Sequence, residues 1–136
     1  MVPVVNYTAV FVSAIVAMIL GCFWYSPMLF QKQWMKLAGV SPPTKEGKKK
    51  GMKMMIWGFI TTLVTACVLS HFIDYTVADT ASKGMTTAFW VWLGFIGPIT
   101  LGSVLWEGKP MKLWILNNAF NLLNILIMGA ILAVWA

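Results

Sequence analysis

Residues 113–135 read LWILNNAFNLLNILIMGAILAVW, a run without a single charged side chain. A helix rises about 1.5 Å per residue and the hydrocarbon core of a bilayer is about 30 Å thick, so such a run crosses it as a helix. Strands do not fit: membrane barrels are built from short alternating segments, and this stretch is continuously apolar. Three more stretches have the same character, at 6–25, 54–73 and 85–106. Together they predict an all-α fold, a bundle of four transmembrane helices forming one domain over residues 1–136, with a long loop at 26–53. Composition agrees. Of 136 residues, 60% are hydrophobic and 10% charged, against about 45–50% and about 25% in soluble domains. A disordered chain, a disulfide-rich scaffold and an ordinary nucleic-acid module are excluded by the same balance.

The charge is +6, from ten Lys, no Arg and four acids. Its distribution sets topology, because cytoplasmic loops of membrane proteins are enriched in Lys and Arg. Lys32, Lys36, Lys45, Lys48, Lys49, Lys50 and Lys53 lie between the first two spans, and Lys109 and Lys112 follow the third. Only Lys83 lies on the other side, beside Asp74 and Asp79. The expected topology is an inner-membrane protein with both termini outside and the Lys-rich loops cytoplasmic. The first span reads as an uncleaved anchor, lacking a basic leader and an A-x-A site. Positive-inside bias accounts for the Lys residues, so no nucleic-acid partner is expected.

Within the loop, Ser26-Pro27 reads as a helix N-cap and first-turn proline. Phe30, Trp34 and Leu37 then follow at helical spacing, with Lys32 and Lys36 on the opposite face and Gly39 as the stop. The spacing predicts an interfacial amphipathic helix whose rings enter the headgroup layer. Ser41-Pro42-Pro43 breaks it. Residues 44–53 form either a solvated turn or a helical extension of the second span. Lys32, Trp34, Lys36, Lys48, Lys49 and Lys50 are the expected contacts to anionic lipid headgroups.

The fourth span carries the most specific polar signal. Asn117, Asn121 and Asn124 stand at i, i+4 and i+7, with Asn118 at the edge of the stripe. An amide facing lipid leaves its donors and acceptors unpaired, so this face meets another helix, another subunit or water. Two readings stand side by side: interhelical hydrogen bonding, or the lining of a polar pocket or narrow pore. Small residues recur every fourth position at Ser13/Ala17/Gly21, Gly58/Thr62/Ala66/Ser70 and Gly94/Pro98/Gly102, predicting packing faces. Pro98 also predicts a kink near the middle of the third span.

Ionisable groups near the spans are few. His71 and Asp74 sit at i and i+3, too few ligands for a metal site. Glu107 reads as an interfacial carboxylate paired with Lys109 or Lys112. Cys22 and Cys67 fall at different depths and read as separate packed thiols. No cofactor is expected, and no catalytic signature such as G-x-S-x-G, H-E-x-x-H or a Walker loop is present.

Asn6-Tyr7, the segment Gly21-x-x-Trp24-Tyr25-Ser26-Pro27-x-x-Phe30 with Trp34, Trp92-x-Gly94-Phe95, Glu107-Gly108 and the Asn-bearing fourth span form a distinctive set. With these the chain resembles the small prokaryotic membrane proteins grouped as the domain of unknown function 1761 family. The resemblance covers nearly the whole chain and implies a four-helix integral membrane protein, with no reaction attached. The leading functional expectation is a homo-oligomeric small-solute channel or transporter-like protein, with Pro98 and the four Asn as its polar face. The alternative is a structural or accessory subunit of a larger membrane complex, or a lipid-binding scaffold. A membrane enzyme using Glu107 or His71 is the least supported.

Overall fold

The structure is a computed structural model that describes residues 5–26, 29–39 and 45–135, except for the side chains of 45–51. Every regular element among the described residues is helical: α1 (Tyr7–Trp24), α2 (Gln31–Ala38), α3 (Lys45–Tyr75), α4 (Ala81–Val91), α5 (Gly97–Leu105) and α6 (Met111–Val134), with a π turn, Trp92–Ile96, joining α4 to α5. Four stretches are long and apolar enough to cross a membrane: Tyr7–Trp24, Met52–Tyr75, Ala81–Leu105 and Met111–Val134. These are the four expected spans. The third begins earlier than expected, because Thr80 caps α4 by accepting the Lys83 backbone N–H at 3.2 Å.

α1 begins where Asn6 accepts the Ala9 N–H through its side-chain oxygen, and its amide nitrogen donates to the Trp135 carbonyl at 2.8 Å. One residue thus caps the first helix and ties it to the end of the last. Further along, a Cβ placed on Gly21 would lie 3.3 Å from the Phe120 ring, and the Tyr25 hydroxyl bonds Asn117. These three levels make α1 and α6 antiparallel neighbours.

Residues 44–53 were open between a turn and a helical extension; from Lys45 onward the backbone is helix, continuous with the second span. α3 ends in a Schellman motif, with the Ala78 N–H on the Ile73 carbonyl and the Val77 N–H on the Asp74 carbonyl. Val77 holds the left-handed position at φ 53, which normally takes glycine. The buried pair Ile73 and Ala78 supplies the apolar contact of that motif.

The core is made largely of alanine, with Ala9, Ala14, Ala17, Ala66, Ala88 and Ala133 all buried. Small side chains let backbones approach, which is how helices gain packing energy in lipid. The tightest approach joins α4 to α6. A Cβ on Gly84 would overlap the Gly129 carbonyl oxygen, and one on Gly129 would sit 2.5 Å from the Gly84 carbonyl oxygen. Ala88 and Ala133, one turn on from each glycine, flank the contact.

Of the expected small-residue faces, the one on the third span is corrected here and the one on α3 is shortened by its first member. Nothing lies within 4 Å of a Cβ built on Gly94 or Gly58, so neither glycine mediates a contact inside the chain. On α3 the buried part of the row is Ala66 and Ser70, and on α1 it is Ser13 and Ala17. Large apolar side chains such as Phe23, Trp90 and Ile99 point outward, a surface suited to lipid rather than water. Thr61 and Thr65 on this surface return their hydroxyls to the Gly58 and Thr61 carbonyls at 2.9 and 3.0 Å, so neither of these donors faces lipid unmet.

Where the sequence leads one to expect a kink, the third span changes its winding to a π turn, just ahead of Pro98. Proline has no N–H to donate and its ring clashes with the carbonyl four residues back. The chain widens to accommodate it, and the Gly97 N–H bonds the Trp92 carbonyl five residues earlier. Pro98 then sits in the first turn of α5.

The helix after the first span also starts later than expected. Ser26 is not its N-cap: α2 begins at Gln31, and the Ser26 carbonyl accepts the Leu29 and Gln31 N–H groups at 3.0 and 3.2 Å. Pro27 lies outside the described residues, as do Ser41, Pro42 and Pro43. Gly39 ends α2 in the left-handed conformation at φ 71, as expected for a C-terminal stop.

Candidate functional site

α6 places its asparagines between two neighbours. At about 100° per residue, Asn117 and Asn124 turn toward α1, and Asn118 turns toward α5. Asn117 accepts the Tyr25 hydroxyl at 2.7 Å. Asn118 is buried; its nitrogen donates to the Trp114 carbonyl at 3.1 Å, and its oxygen lies 3.2 Å from the Thr100 hydroxyl. Thr100 in turn accepts the Trp114 indole N–H at 3.2 Å. Asn121 is half-buried. Asn124 keeps a side-chain oxygen that is buried and has no hydrogen-bond partner. The stripe is therefore divided: two amides join helices, and one acceptor inside the bundle is unmet.

Tyr25 anchors one end of this arrangement, just past the first span. Its ring meets Trp34 of α2 at 5.8 Å and Phe120 of α6 at 5.4 Å, both edge to face. Trp24 stacks against Phe30 at 4.7 Å. Burial pushes the Tyr25 hydroxyl up to about 12, so it stays a neutral donor to Asn117. α2 is present, with Lys32 and Lys36 exposed, but the rings of Phe30 and Trp34 turn onto the end of the bundle. Lys48, Lys49 and Lys50 lie where side chains are outside the described residues.

The fourth span, the Trp24-Tyr25-Ser26 corner and the third span with its π turn fall inside one match. A single family model covers residues 8–133. The chain belongs to that family, described as Protein of unknown function (DUF1761). Within this DUF1761 chain, the aromatic corner is the place where the first loop is fastened to the fourth span. No curated protein and no solved structure matches the chain.

The remaining ionisable residues are scattered. His71 Nδ1 donates to the Cys67 carbonyl at 2.8 Å, because a carbonyl oxygen can only accept. Asp74, half-buried and one turn on, has interactions of its own. Among the described residues no group of three or more His, Cys, Asp or Glu is gathered for a metal. Glu107 is exposed, and the expected pairing with Lys109 or Lys112 does not occur. The Gly108 turn, at φ 70, carries the chain around with the Lys109 N–H on the Ser103 carbonyl. Elsewhere among the described residues, Lys83 pairs with Asp79 at 3.1 Å. Hydrogen bonding and the charge of Lys83 hold the exposed Asp79 carboxyl below its ordinary range.

An open depression of about 460 Å³ lies on α4, lined by Ser82, Met85, Thr86 and Phe89. None of the four asparagines lines it. Sequence reasoning did not single out Thr100 or Gly84 and Gly129. The two glycines had a legible signal, since Gly84-x-x-x-Ala88 and Gly129-x-x-x-Ala133 are both small-x-x-x-small pairs. Thr100 had none, being one threonine among several until the fold sets it beside Asn118.

Proposed function

We propose that this multi-pass membrane protein acts through its surfaces, as a structural or accessory subunit or a lipid-binding scaffold without transport or catalytic activity of its own. The observation that carries this reading is the use made of the fourth-span amides. Asn117 and Asn118 are occupied in bonds to Tyr25 and to Thr100, and α4 and α6 meet at backbone distance. A solute passing through one bundle would have to displace both. In this reading the Lys-rich loops face the cytoplasm, both termini are outside, and Lys32, Lys36, Lys48, Lys49 and Lys50 contact anionic headgroups of the inner membrane. A larger membrane complex is the natural partner.

A second reading has its own support. The half-buried Asn121 suits a polar path formed where copies of the chain meet, as in a homo-oligomeric small-solute channel, with the buried, unpartnered oxygen of Asn124 behind it inside the bundle. Native mass spectrometry of the protein released from nanodiscs separates the two. The scaffold reading predicts bound anionic lipid, lost on replacing Lys48, Lys49 and Lys50 by Gln. It also predicts that solute efflux from proteoliposomes equals that of protein-free vesicles. Efflux above that baseline, abolished by N121L or N124L, would overturn it in favour of the oligomeric channel.

A further inference from the structure

The third span is held to the fourth in two very different ways. Its upper part, α4, is locked where Gly84 and Gly129 touch, with Ala88 and Ala133 alongside. Its lower part, α5, has Gly97 as its only buried residue, and Ile99 and Leu105 are exposed. Between them lies the π turn Trp92–Ile96, followed by Gly97-Pro98. π turns within α-helices recur at functional sites, and proline there interrupts the ladder that would stiffen the span. The indole N–H of Trp92, whose ring lies over Gly97, is buried without a partner at this joint.

Among the described residues, the side-chain hydrogen bonds between α5 and α6 run through Thr100. Its single hydroxyl proton has three acceptors in reach: the Ile96 carbonyl at 2.7 Å, the Gly97 carbonyl at 3.1 Å and the Asn118 oxygen at 3.2 Å. The two carbonyls belong to its own segment and the third to α6. When α5 swings away, the Thr100 proton keeps a partner on its own segment, so this hydroxyl is not left an orphaned donor in the hydrocarbon. The oxygen of Thr100 gives up only the Trp114 N–H.

The geometry points to a hinged arm: α5 pivots at Trp92–Gly97 while α4 stays fixed to α6, and Thr100 with Asn118 and Trp114 is the latch. The motion carries the Trp106–Lys109 turn with it. This inference stands independently of the scaffold and channel readings.

Fluorine NMR in nanodiscs tests it. In a background with Cys22→Ser and Cys67→Ala, a trifluoroethylthio probe is placed at Leu105→Cys on the arm or at Thr86→Cys on α4. The arm probe is expected to show two exchanging resonances, and the α4 probe one. Interhelical bonds in membranes are worth on average about threefold in an equilibrium. Trp114→Phe, which removes one bond, raises the open population about threefold, and Thr100→Val raises it up to about tenfold, with the Thr86 probe unmoved. An arm resonance indifferent to both substitutions overturns the hinge. So does an equal displacement at both probes, which would mean the span moves as one piece. Should Thr100→Val not fold, Trp114→Phe decides alone.

Discussion

Placing a methyl group at the contact between α4 and α6 is the sharpest test of how this bundle is held. A Cβ on Gly84 would lie 2.6 Å from the Ala133 Cβ and 2.9 Å from the Gly129 carbonyl carbon, and one on Gly129 would lie 2.8 Å from the Ala88 Cβ. Carbon atoms rest at about 3.5–4.0 Å, so either alanine forces the helices apart by about 1 Å. Overpacking of that size costs about 1–3 kcal/mol. Each glycine also aims its Cα–H at the other's carbonyl oxygen, and losing such contacts adds about 0.5–1 kcal/mol. The better helix propensity of alanine returns up to about 1 kcal/mol. The net expectation for G84A or G129A is a loss of about 1–3 kcal/mol. G94A and G58A change helix propensity in the same way but meet nothing within 4 Å, so they are expected to be neutral or slightly stabilising. Unfolding in mixed micelles of rising SDS content, followed by tryptophan fluorescence, compares all four. G84A and G129A within about 0.5 kcal/mol of G94A would refute the close approach as a source of stability.

Tyr25→Phe and Asn117→Leu each remove the 2.7 Å bond between the first and fourth spans; each is expected to cost about 0.6–1.7 kcal/mol, with a double-mutant cycle showing that they share one interaction. Because the native hydroxyl ionises at about 12, above the ordinary tyrosine value of about 10, the stability it contributes is complete below the lower figure and lost as pH rises through the higher. Absorbance at 295 nm should show one late-ionising tyrosine that Tyr25→Phe removes. Asn6→Ala deletes both a cap and the tether to Trp135 and is expected to cost about 0.5–2 kcal/mol, with faster amide exchange in the first turn of α1. Val77 is exposed and left-handed, a conformation costing a side chain about 1–2 kcal/mol, so Val77→Gly should stabilise the protein by about 0.5–1 kcal/mol after the entropy of glycine is counted; a lower stability would show the strain to be absent.

Much of this molecule is decided within short windows of sequence. Four uncharged runs of about twenty residues specify four spans, because in hydrocarbon each backbone polar group must be satisfied inside its own segment. The same local logic made Gly39 a helix stop and set a π turn ahead of Pro98, since a left-handed turn and a missing N–H are properties of single residues. Pairing between distant segments was a different matter. The Asn stripe of residues 117–124 announced that something polar must meet it, but Tyr25 stands ninety-two positions away from Asn117, and nothing along the chain says that the two meet. Gly94 and Gly58 carried the same small-residue signal as Gly84 yet meet no neighbour within 4 Å of an added Cβ, because spacing marks a face without marking its partner. Which glycine touches a neighbour, which asparagine is bonded and which keeps an open acceptor follow from the order and tilt of helices in the bundle. Those depend on contacts among all four spans at once, and so they are legible only in the tertiary structure.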